Sequence, residues 1–113
     1  MTKVVAVDFD GTLCTNAWPN IGVIDIFQKR VIQRLCELHK AGWVIILWTC
    51  REGKYLEDAV KFCVNNSIPI DYINENIPEI KETFGDSRKI CADLYIDDRA
   101  VNNLDILKLK GVQ

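Results

Sequence analysis

An apolar run near the start of the chain ends abruptly in acidic residues, and this pattern narrows the folds that are open to it. Val4 to Val7 are all apolar, and Asp8, Phe9 and Asp10 follow directly. An apolar run without alternation is typical of a strand that is covered by helices on both faces. Ligands of open α/β sheets bind beyond the carboxyl ends of the strands. The run therefore predicts that Asp8 and Asp10 lie at a functional site.

The rest of the chain alternates helical and strand-like patterns, which predicts an α/β fold. Helices are expected at Ile24 to His39, Tyr55 to Asn66 and Glu79 to Phe84, and further strands at Trp43 to Trp48, Ile68 to Ile73 and Leu94 to Ile96. Right-handed crossovers bring Thr49, after the second strand, to the same sheet edge as Asp8. We predict one Rossmann-like domain over residues 1–113, a three-layer sandwich around a mostly parallel sheet of four to five strands.

Composition and charge limit the classes of partner. Apolar residues make up 49% of the 113 residues, and the net charge is −2 without a basic stripe, which argues against nucleic acid. The five cysteines are scattered singly, as expected for free thiols in a reducing cytoplasm. Neither a leader nor an apolar run of about 18 residues is present, so we expect a cytoplasmic protein without a membrane partner.

The two acids at the end of the first strand have two interpretations. Carboxylates one residue apart repel each other unless a cation lies beside them, and Mg²⁺ prefers oxygen ligands. Asp8 and Asp10 are therefore candidate magnesium ligands. The alternative is a simple turn, in which Asp10 and Thr12 around Gly11 form local hydrogen bonds.

The pattern Asp8-x-Asp10-Gly11-Thr12 after an apolar strand resembles the first motif of the haloacid dehalogenase superfamily. Most members of that superfamily are Mg²⁺-dependent phosphatases. The resemblance implies that Asp8 is a nucleophile that forms an aspartyl-phosphate and that Asp10 is the general acid and then the base. It also implies that both acids bind the metal and that Thr12 supports them without touching it.

Thr49 matches the second motif of that superfamily, a Thr or Ser at the end of a strand. The resemblance implies that its hydroxyl, together with the backbone N–H of Cys50, holds the phosphoryl group that is transferred. The residues themselves also allow Thr49 to be the N-cap of the following helix. Both interpretations remain open at this point.

The third motif of the superfamily is a Lys or Arg, and three residues qualify by position: Lys81, Arg88 and Lys89. We choose Lys89 because it lies just before the last strand, as in similar short members. The resemblance implies that this cation binds the substrate phosphate and shields Asp8 from its charge.

Asp97 and Asp98 follow the last strand and match the fourth motif. The ending Ile96-Asp97-Asp98-Arg99 is most similar to nucleotidases and to the phosphatase half of phage polynucleotide kinase. The resemblance implies that Asp98 binds the metal directly and that Asp97 supports it. Asn102 stands where many relatives carry a further acid, in the water network around the metal.

Together these motifs predict a Mg²⁺-dependent phosphomonoester hydrolase that acts on a small metabolite, a sugar phosphate or a nucleotide. The spans between the motifs leave no room for a cap domain, so a neighbouring subunit is expected to close the site in a homo-oligomer. We expect Trp18 and the loop Asn74 to Pro78 near the substrate, although Trp18 could simply pack its loop onto the body. The alternatives are a 3′-phosphatase of polynucleotide ends and a non-catalytic, receiver-like module that binds phosphate and Mg²⁺.

Overall fold

The computed structural model describes residues 2–85 and 90–97, which form a parallel sheet with helices on both faces. The elements in chain order are β1 (Val4–Val7), α1 (Ile26–Lys40), β2 (Val44–Leu47), α2 (Gly53–Asn65), β3 (Tyr72–Ile73), α3 (Pro78–Phe84) and β4 (Leu94–Ile96). The four strands lie in the order β3-β2-β1-β4, and every neighbouring pair is parallel. This confirms the predicted Rossmann-like α/β fold, and each crossover in the described part of the chain carries one helix and no cap domain.

The order of the strands explains the three layers. The chain moves from β1 to β2 and β3 in one direction, so right-handed crossovers put α1 and α2 on one face of the sheet. The return to the far side of β1 puts α3 on the other face. β1 is buried on both faces and contributes to two clusters. One contains Val5, Val7, Val31, Leu35, Leu38, Ala59 and Cys63, and the other contains Val4, Ala6, Ile46, Ile77 and Ile90.

Helix α1 begins two residues later than predicted, because Asp25 caps it. The Asp25 carboxylate accepts from the Ile26 N–H at 2.9 Å, and the Gln28 side chain accepts from the Asp25 N–H at 2.9 Å. This reciprocal capping box satisfies backbone donors that have no partner inside the helix. Helix α2 instead begins at Gly53, two residues earlier than predicted.

Strand β3 is much shorter than the predicted Ile68 to Ile73. The Asp71 N–H donates to the Ile45 carbonyl at 2.8 Å, and the Asp71 carboxylate accepts from the Ile45 N–H at 2.8 Å. A side chain thus takes the place of a backbone carbonyl, and regular pairing begins only at Tyr72. Pro69 has no N–H for such pairing.

Two further predictions concern the thiols and the membrane. All five cysteines are free, as predicted, and burial raises the pKa of the Cys63 thiol to about 12. Among the described residues, no helix combines the length and the apolar character needed to cross a membrane.

Candidate active site

The carboxyl ends of β1, β2 and β4 surround a cleft of about 560 Å³. Its lining contains Asp8, Asp10, Asn16, Trp18, Trp48, Thr49, Cys50, Arg51 and Asp97. The cleft lies where the strand order reverses beside β1, which is the usual ligand position in open α/β sheets. A smaller cavity of about 340 Å³ beside α2 and β3 contains none of the motif residues. The structure therefore brings most of the described motif residues together in one place.

Asp8 and Asp97 lie side by side at this edge. Val7 pairs with Ile96, so the next residues of the two parallel strands, Asp8 and Asp97, continue the same row. The Asp8 N–H donates to the Ile96 carbonyl at 2.9 Å, and one Asp8 carboxylate oxygen accepts from the Phe9 N–H at 2.8 Å. Both acids are half-buried. Neighbouring carboxylates in such a row favour a bound cation.

The Asp10 carboxylate is held by a buried arginine. Arg51 is only 1% exposed, and its Nε and Nη2 donate to the two Asp10 oxygens at 2.8 Å and 2.6 Å. The hydrogen bonds to Asp10 raise the pKa of Arg51. Each Asp10 oxygen keeps a second lone pair. The pair therefore fixes the orientation of Asp10, whose roles as proton carrier and metal ligand stay predictions.

The same guanidinium also ties two other segments to the cleft. Its Nη2 donates to the Asn20 carbonyl at 2.9 Å, and its Nη1 donates to the Pro19 and Tyr55 carbonyls at 3.3 Å each. Arg51 thus connects Asp10 with the loop after β1 and with the first turn of α2. Sequence reasoning did not identify this residue. The available signal was a basic residue two positions after Thr49, at a strand end facing two acids.

Thr49 is buried at the end of β2, where its role in holding a phosphoryl group stays a prediction. Its N–H donates to the Asn74 side-chain oxygen at 2.8 Å, and its hydroxyl accepts from the Arg51 N–H at 3.1 Å. The N-cap of α2 is Glu52, so the N-cap interpretation of Thr49 is wrong. The hydroxyl proton is still available for donation to an anion. Cys50 follows at the rim, where it is exposed.

Thr12 lies in the turn directly after the acids. It is fully buried, and its N–H donates to the Phe9 carbonyl at 3.1 Å. Its hydroxyl has no hydrogen-bond partner among the described residues. Buried polar atoms without a partner are rare in folded proteins and call for an explanation. Its supporting role beside the acids stays a prediction.

Several predicted site residues lie outside the described residues: Arg88, Lys89, Asp98 and Asn102. Lys81 lies inside them, on α3, where its Nζ pairs with the Glu75 carboxylate at 2.7 Å. Lys81 does not belong to the lining of the cleft. Among the described lining residues, Arg51 is the single cationic side chain.

The donor set at the cleft fits a hard cation. Within residues 2–85 and 90–97, no three His, Cys, Asp or Glu side chains are grouped around a common metal position. However, Mg²⁺ usually takes only one or two protein carboxylates and completes its shell with water and phosphate oxygens. Asp8 and Asp97 provide two such carboxylates in adjacent positions.

The two loops that were expected near the substrate differ. Trp18 lines the cleft, and its ring also lies 4.9 Å from the Arg51 guanidinium carbon and 5.1 Å from the Tyr55 ring. It therefore packs its loop onto the body and faces the cleft as well. In the loop Asn74 to Pro78, the Asn76 side chain accepts from the Cys91 N–H at 2.7 Å. Residues of that loop do not belong to the cleft lining.

No protein-family model matches the chain, and no curated protein matches it. A solved structure does match: "Structure of the conserved protein coded by locus from Bacteroides thetaiotaomicron". The two chains are 36% identical and superpose with a TM-score of 0.73, over 90% of this chain and 80% of that chain. This similarity supports the compact α/β fold described above.

Proposed function

We propose that this chain, which belongs to the same family as the conserved protein from Bacteroides thetaiotaomicron, is a Mg²⁺-dependent phosphomonoester hydrolase of the haloacid dehalogenase type. One observation carries the proposal: Asp8, Asp10, Thr49 and Asp97, which follow three different strands, line one cleft. The substrate is a small phosphorylated metabolite. The enzyme works in the reducing cytoplasm, in keeping with its five free thiols, and a second subunit closes its cleft.

Asp8 and Asp10 divide the reaction into two steps. An Asp8 carboxylate oxygen bonds to phosphorus while the bond to the leaving oxygen breaks, and Asp10 gives that oxygen a proton. In the second step Asp10 takes a proton from water, whose oxygen attacks the phosphorus and releases phosphate and free Asp8. When bound, Mg²⁺ neutralises negative charge on the carboxylates and the phosphate. Asp8 and Asp97 would hold it, with the predicted ligand Asp98.

The surroundings of the two acids support these different roles. Asp8 follows β1 directly and lines the cleft beside Asp97, which supports its role as the attacking group. Asp10 is oriented by Arg51, which forms hydrogen bonds to both of its oxygens. Thr49 adds a hydroxyl donor at the neighbouring strand end, directed by its bond from the Arg51 N–H.

A receiver-like module is less compatible with the structure. Such a module carries its phosphoacceptor Asp at the end of the third strand. Here β3 is followed by Asn74, whose side-chain oxygen accepts from the Thr49 N–H. Asn74 therefore orients Thr49 and has no carboxylate that could accept a phosphoryl group.

The proposal is tested by measuring phosphate release from an aryl phosphate and from a panel of phosphorylated metabolites. We expect turnover with Mg²⁺, loss of turnover with a chelator, and recovery when Mg²⁺ is added in excess. An Asp8→Asn protein purified in the same way controls for contaminating phosphatases. A folded protein that releases no phosphate from any phosphomonoester with Mg²⁺ would refute the proposal.

Replacing Thr49 with valine is expected to lower kcat/KM by roughly 10-fold to 100-fold, because the cleft loses a donor to the phosphoryl group. Thr49→Ser keeps the hydroxyl and should retain most of the activity. Thr83→Val is the matched control, since the Thr83 hydroxyl donates to the Glu79 carbonyl within α3. Equal rates for Thr49→Val and the wild type would show that this hydroxyl does not contact the substrate.

A further inference from the structure

Two exposed tryptophans lie at the candidate active site. Trp18 is 54% exposed and Trp48 is 42% exposed, and both line the cleft that contains Asp8 and Asp10. The third tryptophan, Trp43, is only 7% exposed and belongs to the core. Ligand sites are commonly lined by aromatic side chains with a few polar groups among them. The position of these two rings therefore indicates which chemical group the substrate carries besides its phosphate.

Trp48 is held directly beside the predicted nucleophile. Leu47 pairs with Val7, so Trp48 and Asp8 are the next residues of their two strands, and the Trp48 N–H donates to the Val7 carbonyl at 2.8 Å. Its ring contacts Tyr95, with centroids 5.7 Å apart and an interplanar angle of 61°. The Tyr95 hydroxyl is itself bonded to the Ile90 carbonyl. A ring that is already held in place loses little conformational entropy when a ligand binds.

Trp18 is held by different neighbours. Its ring lies 4.9 Å from the guanidinium carbon of Arg51, which pairs with Asp10, and 5.1 Å from the Tyr55 ring at the start of α2. The attraction between a cation and an aromatic face stabilises this position. The two indoles are thus held by different contacts. Trp48 lies beside Asp8 in the sheet, and Trp18 packs against the arginine that binds Asp10.

Among the described residues, the lining offers few polar side chains for the hydroxyl groups of a bare sugar. Asp8, Asp10, Asp97, Thr49 and Arg51 are used by the proposed reaction, and Cys50 offers only a thiol. Of the described lining residues, Asn16 is the remaining polar side chain apart from the two indole N–H groups, and its oxygen accepts from the backbone N–H of Trp18 at 3.4 Å. Specific recognition of sugar hydroxyls needs placed hydrogen-bond partners. A flat aromatic ring needs none, because it binds by stacking on another ring.

We propose that the substrate is a nucleoside monophosphate whose base stacks on Trp18 and Trp48; this rests on the proposed phosphatase function. The cleft of about 560 Å³ has the size of a small-molecule site. The net charge of −2 gives no electrostatic grip on the backbone of a polynucleotide. The base therefore selects the substrate, and the acids act on its phosphate.

Binding is tested without catalysis, in the Asp8→Asn protein, by tryptophan fluorescence. Adenosine monophosphate is expected to quench the emission of Trp18 and Trp48, whereas ribose phosphate and inorganic phosphate should leave it unchanged. Adenosine monophosphate and ribose phosphate form a matched pair, because they differ only in the base. Trp43 provides residual emission, since the core shields it. Equal effects of nucleotide and ribose phosphate, or no effect of either, would contradict stacking.

Catalysis is tested with Trp18→Leu and Trp48→Leu, with Phe84→Leu as the control because Phe84 is 72% exposed on α3. Loss of a stacking ring is expected to lower kcat/KM for adenosine monophosphate by about 10-fold or more. Hydrolysis of ribose phosphate should fall much less, because this substrate has no base that could stack on the rings. Two variants that keep wild-type rates, or that lose both activities equally, would overturn the inference and leave the phosphatase function intact. If no phosphoester is hydrolysed at all, the proposed function falls, and the fluorescence titration still decides whether the cleft binds a base.

Discussion

Replacing Asp8 with asparagine is expected to abolish hydrolysis of every phosphomonoester while the protein keeps its fold. An amide cannot form the phosphoenzyme, so kcat should fall by about a thousandfold or more, as for other catalytic nucleophiles. The fold should persist because the amide oxygen of asparagine can still accept a hydrogen bond from the Phe9 N–H, as the Asp8 carboxylate does. Phosphate release with Mg²⁺ and a thermal melt measure the two effects separately.

Glu82→Gln is the matched control for this variant, since Glu82 is exposed on α3 and the change also turns a carboxylate into an amide. It should keep wild-type activity. Rapid acid quench followed by mass spectrometry should detect phosphate on a peptide containing Asp8 in the wild type. Undiminished turnover in the Asp8→Asn protein would rule out the covalent mechanism.

Replacing Arg51 with methionine is expected to lower the free energy of unfolding by about 3 kcal/mol. Arg51 is 1% exposed, and its removal would leave Asp10 and the Asn20 carbonyl without their cationic partner. Methionine fills a similar length of space, so the loss measures mainly the charged hydrogen bonds. Urea denaturation followed by circular dichroism gives the difference.

The controls for this prediction separate charge from geometry. Arg51→Lys keeps the charge but cannot form the two parallel bonds to Asp10, so it should recover only part of the stability. Arg30→Met removes an exposed arginine of α1 and should change the free energy of unfolding by less than about 0.5 kcal/mol. If the Arg51→Met and Arg30→Met proteins had the same free energy of unfolding, the ion pair between Arg51 and Asp10 would contribute nothing to stability.

The sheet and its site edge could be predicted because their signals are local in the sequence. The apolar run Val4 to Val7 identifies β1 by itself, and the acids that follow it must lie at its carboxyl end. Right-handed crossovers then place Thr49 and Asp97 at the same edge. The predicted length of β3 was wrong because the Asp71 side chain replaces a backbone hydrogen bond to Ile45. No pattern of strand residues reveals such a contact.

The sequence alone therefore determined which strands exist and which side chains follow them, since the periodicity of apolar residues reports burial directly. Only the tertiary structure decided how those side chains are paired. Arg51 and Asp10 are 41 residues apart in the chain, but the Arg51 Nη2 and an Asp10 carboxylate oxygen lie 2.6 Å apart in the fold. The partner of a charged side chain depends on distances that exist only after the crossovers have packed, and neither spacing nor composition encodes them. For the same reason, the sheet register that sets Trp48 beside Asp8 emerged from the structure.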